Sequence, residues 1–156
     1  MAIDDSGEWW VGSEASDIEP YLRAYTESEE AYPIAVNRAV RCACGADRFR
    51  VERAADVLRR ECVACGARHF PCRDIGDWQE AVDDEDPEAY VCVSCRGNEV
   101  NVGVGFAGYP ESPNIDAVKW FYVGVRCASC GVLGCFCDGK VGWGPAAEVY
   151  EQASRL

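Results

Sequence analysis

The chain has 156 residues, 27 acidic and 15 basic, for a formal net charge of −12, with 11 cysteines and a single histidine. A chain this acidic repels a phosphate backbone as a whole, and no apolar run approaches the ~18 residues of a membrane span. So many cysteines imply either a disulfide framework or bound metal. The N-terminal MAIDDSGEWW lacks the basic and apolar parts of a secretory leader, so the expectation is metal in a reducing, cytoplasmic setting.

Residues 1–40 carry a net charge of −7 and form an expected N-terminal helical segment. Ser16-Asp17-Ile18-Glu19 has the capping-box form. Ile18, Tyr21, Leu22 and Tyr25 then fall on one helical face, and Pro20 sits in the first turn, where its missing N–H costs little. The spacing predicts a helix over about 17–29, ending before Pro33. Upstream, Trp9-Trp10-Val11 reads as an apolar patch that packs on this helix or anchors a partner.

Residues 41–82 form a first cysteine unit, the one locally basic stretch: residues 41–80 carry +1. Phe49 and Val51 alternate with Arg48, Arg50 and Glu52 as in a half-buried strand. A short loop near Ala54–Asp56 leads into a second strand, Val57 to Glu61, and Ala67–Cys72 can supply a third. Residues 83–89 hold the acidic run Asp83 to Glu88, broken by Pro87, expected as a solvated linker. Residues 90–156 form the second unit. Val100, Val102, Val104 and Phe106 sit at period two, Gly108 to Asn114 is turn-rich, and Lys119–Arg126 is strand-like. Pro145 opens a short C-terminal helix.

The two units echo one another. Cys62-Val63-Ala64-Cys65-Gly66 returns 65 residues later as Cys127-Ala128-Ser129-Cys130-Gly131, and Cys72 and Trp78 recur at the same offset as Cys137 and Trp143, which marks a duplicated unit. The two tryptophans are expected to cap the core of each unit. Each CxxCG has an upstream pair, Cys42-Ala43-Cys44 or Cys92-Val93-Ser94-Cys95. Two pairs per unit give four thiolates per site and two sites, the arithmetic of structural zinc. A redox or iron site is the alternative. Gly45, Gly66 and Gly131 directly follow a second cysteine, where glycine adopts φ > 0 without a Cβ clash; the fourth turn has Arg96-Gly97 instead.

Two such knuckles joined by a β-hairpin resemble the zinc-ribbon superfamily, over about 41–72 and 92–137. The resemblance implies a small metal-stabilised α+β protein: two tandem zinc-ribbon β units with an N-terminal and a short C-terminal helix. It implies that Cys42, Cys44, Cys62 and Cys65 hold one Zn²⁺ and that Cys92, Cys95, Cys127 and Cys130 hold a second. Cys42-x-Cys44 departs from the pattern, with one intervening residue where two to four are usual. Cys72, Cys135 and Cys137 are left over. The simplest account makes Cys72 and Cys137 buried third-strand positions; with His69 the three would also suffice for a third zinc site. His69 otherwise reads as an ordinary strand residue.

A closed Cys₄ site has no open coordination position, and the chain contains no GxSxG, P-loop, Rossmann glycine pattern or HExxH, so the expectation is not an enzyme. Two filled sites would bring the charge to about −16, each adding four thiolate charges against one divalent ion. The leading expectation is a protein-interaction module for a basic partner: an adaptor, an accessory subunit or a neutralising protein, with Trp9, Trp10, Tyr109 and Trp120 as available anchors. The alternative is nucleic-acid binding through Arg41, Arg48, Arg50, Arg53, Arg59, Arg60 and Arg68.

Overall fold

A computed structural model describes residues 3–55, 57–70, 75–112, 114–141 and 145–154. It is a small α+β arrangement built on antiparallel sheet. Strands β1 (Ile3–Asp4) and β2 (Val11–Gly12) pair as a short ribbon, and a 3₁₀ turn (Ala15–Asp17) leads into α1 (Ile18–Ser28). Next come β3 (Val36–Ala39), the hairpin β4 (Phe49–Ala54) and β5 (Val57–Cys62), β6 (Arg68–His69) and α2 (Ile75–Asp84). After these follow β7 (Glu88–Ala89), the long strands β8 (Val100–Ala107), β9 (Trp120–Cys127) and β10 (Leu133–Lys140), and α3 (Ala146–Ser154).

Helix α1 begins at Ile18, close to the expected 17–29, but the capping box that leads into it is Glu14 with Asp17, around the 3₁₀ turn, rather than Ser16 with Glu19. The Asp17 carboxylate accepts from the backbone N–H groups of Ser13 (2.8 Å) and Glu14 (3.1 Å). Glu19 instead pairs with Arg23, one turn on.

Among the described residues, eight strands form one sheet in the order β10-β9-β8-β4-β5-β6, with β3 on β8 and β7 on β4. The cysteine-bearing segments therefore share a sheet, joined at Phe49 opposite Val100. They also share a core: Phe49, Val51 and Leu58 from the first hairpin cluster with Val100, Val102, Val104, Phe106, Val123 and Val125 from the second. Asn101 ties them further, donating to the Asp47 carbonyl (3.0 Å) and accepting from Arg126 (3.0 Å). Arg126 in turn donates to the carbonyls of Gly12 (2.8 Å) and Ser13 (3.1 Å), which pins the N-terminal ribbon onto β9.

Strand β8 is buried along its whole length because both its faces are covered. On one face Val104 and Phe106 meet α3, through Val149 and Tyr150. On the other, the cross-strand pair Gly103 and Gly124 makes a socket for α1. A Cβ at Gly124 would lie 2.6 Å from Ile18 Cγ2 and 2.8 Å from Leu22 Cδ1, so only glycine lets the helix approach this closely.

The run at 83–89, expected as a solvated linker, is exposed along its length and is also tied to the first hairpin. Asp83 and Asp84 end α2, the Glu85 carboxylate accepts from the Ala55 N–H, and Glu88–Ala89 pairs with β4 while Glu88 meets Arg53. Helix α2 was not anticipated: Trp78, Ala81 and Val82 bring one face onto Ala54, Val57 and Phe70. Trp78 thus covers the end of the first hairpin from a helix. Its counterpart Trp143, like Cys72, lies outside the described residues.

Candidate metal centres

Each cysteine quartet is assembled from two tight turns at the end of a hairpin. In the first, Cys62 closes β5 opposite Phe49, while Cys42 and Cys44 lie in the turn before β4. In the second, Cys127 closes β9 opposite Val100, and Cys92 and Cys95 precede β8. Three of the turns share one design. The N–H four residues after the first cysteine donates to its carbonyl: Gly66 to Cys62 (2.9 Å), Arg96 to Cys92 (3.0 Å) and Gly131 to Cys127 (2.8 Å).

The Cys42-x-Cys44 turn keeps this design with one residue fewer. Gly45 N–H donates to the Cys42 carbonyl (2.8 Å), and Cys42 N–H reaches Ala46 (2.8 Å) where Cys62 N–H reaches Ala67 (2.9 Å). Removing a residue thus shortens the turn without redirecting its sulfurs. A left-handed residue follows the second cysteine in every case: Gly45 (φ 92°), Gly66 (φ 76°), Gly131 (φ 86°) and Arg96 (φ 65°). The fourth turn therefore places Arg96, not Gly97, in that conformation. Gly97 is closely packed for another reason: a Cβ there would lie 3.2 Å from Ser129 Oγ, 3.3 Å from Cys95 Sγ and 3.5 Å from Cys127 Sγ. Its N–H also points at Cys95 Sγ, 3.4 Å away.

Within each quartet the four sulfurs lie within 4.8 Å of one another. The shortest separations are 3.6 Å for Cys42–Cys65 and Cys44–Cys62, and 3.5 Å for Cys92–Cys130 and Cys95–Cys127. Disulfide sulfurs sit ~2.0 Å apart, whereas an ion with ~2.3 Å bonds to tetrahedral thiolates sets them about 3.8 Å apart. The spacing fits two Cys₄ metal sites. The first cysteine of every turn is buried and its partner is more exposed, so each ion would sit between the core and the surface.

The electrostatics of the donors point the same way. At Cys62 burial opposes the thiolate but is outweighed by the Cys65 and Ala64 N–H groups, so the thiol is lowered to about 7. At Cys92 burial is likewise outweighed by the Cys95 and Ser94 N–H groups, which lower it to about 6. Their neighbours go the other way: burial and the adjoining thiols push Cys130 up to about 12. At Cys44 the Ala46 N–H favours the thiolate, but the Cys42 and Cys62 sulfurs overcome it and the thiol rises to about 12. Turn N–H groups thus favour the thiolate at Cys62 and Cys92, and a cation in the middle would relieve the repulsion between neighbouring thiolates.

The surroundings differ between the sites. Tyr90, Val11 and Val132 pack on Cys92 and Cys127 at the second site, where burial and the Cys92 thiol push the Tyr90 phenol upward. At the first site Arg60 is fully buried, its guanidinium 5.0 Å over the Phe49 ring. Burial lowers Arg60 to about 10, while the negative charge of Cys42 and Cys62 works to keep it protonated. Arg60 was grouped in the sequence with the surface arginines. Its alternation with Leu58 and Cys62 on β5 was the available signal that it points inward.

Of the leftover cysteines, Cys72 lies outside the described residues, and Cys135 and Cys137 part from one another. A register shift between Cys135 and Cys137 breaks the alternation of β10, so Cys135 packs beside α1 while Cys137 joins the main core. Among the described residues only the two quartets bring together three or more metal-ligating side chains. His69 pairs with Arg60 across β5 and β6.

Comparison with protein-family models, with curated proteins and with solved structures gives no match.

Proposed function

We propose that the chain is a zinc-stabilised, non-enzymatic module that binds a basic protein partner in a reducing compartment such as the cytoplasm. Four thiolates per site favour zinc over harder ions, and a saturated site favours a structural role. The two quartets, each at the end of a hairpin, are in keeping with tandem zinc ribbons.

The observation that carries the interaction reading is the fate of the arginines. Arg48 and Arg50 face Glu99 (3.9 and 3.5 Å), Arg50 also faces Glu61 (3.9 Å), and Arg68 takes Glu61 (2.8 Å). Arg53 pairs with Glu88 and Arg59 with Glu52. Arg60 is buried. Exposed pairs of this kind add little stability, but they cancel the cationic face that phosphate binding requires. The net charge of −12 then favours a basic partner.

The test is capture from native cells without chelator, followed by the R48E/R50E double variant. A nuclease-resistant protein partner retained by the variant is expected. Nuclease-sensitive nucleic acid, lost from the variant and released steeply by salt, would contradict the reading.

A further inference from the structure

The sequence left Trp9 and Trp10 unassigned between packing and recognition, and the structure gives them different positions. The Trp10 carbonyl accepts from Leu133 N–H (2.8 Å), which fixes the segment along the start of β10. The Trp10 ring meets Tyr21 edge to face, with centroids 5.9 Å apart. Tyr25 follows one helical turn after Tyr21, its ring 6.2 Å away. Trp9 is 44% exposed, a large apolar side chain not used in the core.

These four rings line one cavity of about 260 Å³, with Leu133 also in its wall and Glu8 as its carboxylate. That volume lies below the ~300–1,000 Å³ of sites for drug-sized ligands, which suits a single inserted side chain. The surroundings are negative. Burial is the main influence raising Tyr21, to about 12, and Tyr25, with Cys135 next for both and Glu29 and Asp138 contributing less, so both phenols stay neutral. The whole 1–40 segment carries −7. Aromatic faces attract cations through their quadrupoles, more strongly when water is excluded, and an apolar side chain would gain nothing from the carboxylates.

We infer that the Trp9–Trp10–Tyr21–Tyr25 groove is an aromatic cage that takes a cationic side chain, arginine or lysine in free or methylated form, from a basic protein segment. This rests on the interaction reading and gives that interaction its anchor. Glu8 supplies the carboxylate at the cavity wall, and the rings supply the contact.

The experiment uses the full metal-loaded chain and four blocked pentapeptides, acetyl-Gly-Ala-X-Ala-Gly-amide, with X as arginine, lysine, trimethyl-lysine or norleucine. Binding is read from the indole N–H resonances of Trp9 and Trp10. At least one cationic peptide is expected to give saturable shifts that norleucine does not. Trp9→Ala is expected to weaken this binding roughly threefold to thirtyfold, and Glu8→Gln to weaken it less and reduce its salt dependence. Both positions lie outside the core, and unchanged methyl resonances in the variants confirm the fold. Equal shifts with norleucine, or no shift with any peptide, would overturn the cage. A partner captured from cells that binds Trp9→Ala as tightly as the parent would also overturn it, while leaving the interaction reading intact.

Discussion

Arg60 shows how a single residue can separate two copies of one unit. The 65-residue offset that maps Cys62 onto Cys127 maps Arg60 onto Val125, and both lie on the buried face two residues before a ligand. A filled Cys₄ zinc site carries a charge of about −2, which is costly beside an apolar core. Arg60 offsets half of it at the first site, and nothing at position 125 does so at the second. The same guanidinium would be an expensive burial without the thiolates. Arg60→Met, which keeps the length and loses the charge, is therefore expected to weaken zinc retention at the first site by ~10–100-fold. Retention at the second site should be unchanged. Competition with a chromogenic chelator resolves the two releases, and equal weakening at both sites would show that Arg60 acts only through general stability.

The turn is the element on which the sites depend, and the left-handed residue after each second cysteine is where it can be perturbed. Gly45 and Gly66 face open space, so alanine there meets only the backbone cost, about 1 kcal/mol. A Cβ at Gly131 would instead lie 2.5 Å from the Gly12 carbonyl oxygen, which belongs to the ribbon strand packed on that turn. Gly131→Ala is expected to cost about 2–4 kcal/mol in urea denaturation of the metal-loaded protein. Gly45→Ala is expected to cost the smaller amount, and equal losses would contradict this packing.

These turns and the hairpins they terminate were legible because their signals are local: CxxCG spacing, and period-two alternation in 49–51 and 100–106. What the sequence hid was non-local. The pairing of Phe49 with Val100, and of Val36–Ala39 with β8, joins residues too far apart for any local pattern to register. The irregularity around Phe136 reverses the alternation of β10 and separates Cys135 from Cys137, with Gly134 just before it as a weak local signal. Helix α2 has a short apolar face and a glycine in its first turn, so its periodicity was weak.

At the scale of the whole molecule the metal sites and the core are one construction. Cys42 and Cys62 belong to the same buried cluster as Val100 and Val125, and Cys92 and Cys127 pack against Val11 of the N-terminal ribbon. Each structural zinc contributes ~10–16 kcal/mol of apparent binding free energy, against the ~5–15 kcal/mol net stability of a typical domain. Complete chelation is therefore expected to unfold both hairpins and to abolish the near-UV signal of the tryptophans. A native near-UV spectrum after verified metal removal would contradict that dependence.

The most direct measurement is the metal content of the intact chain, purified without chelator and weighed by native mass spectrometry. Two zinc ions per chain are expected, falling to one in the Cys92→Ser/Cys127→Ser variant. A metal-free folded chain whose mass is reduced by the hydrogens lost to disulfides would contradict the account.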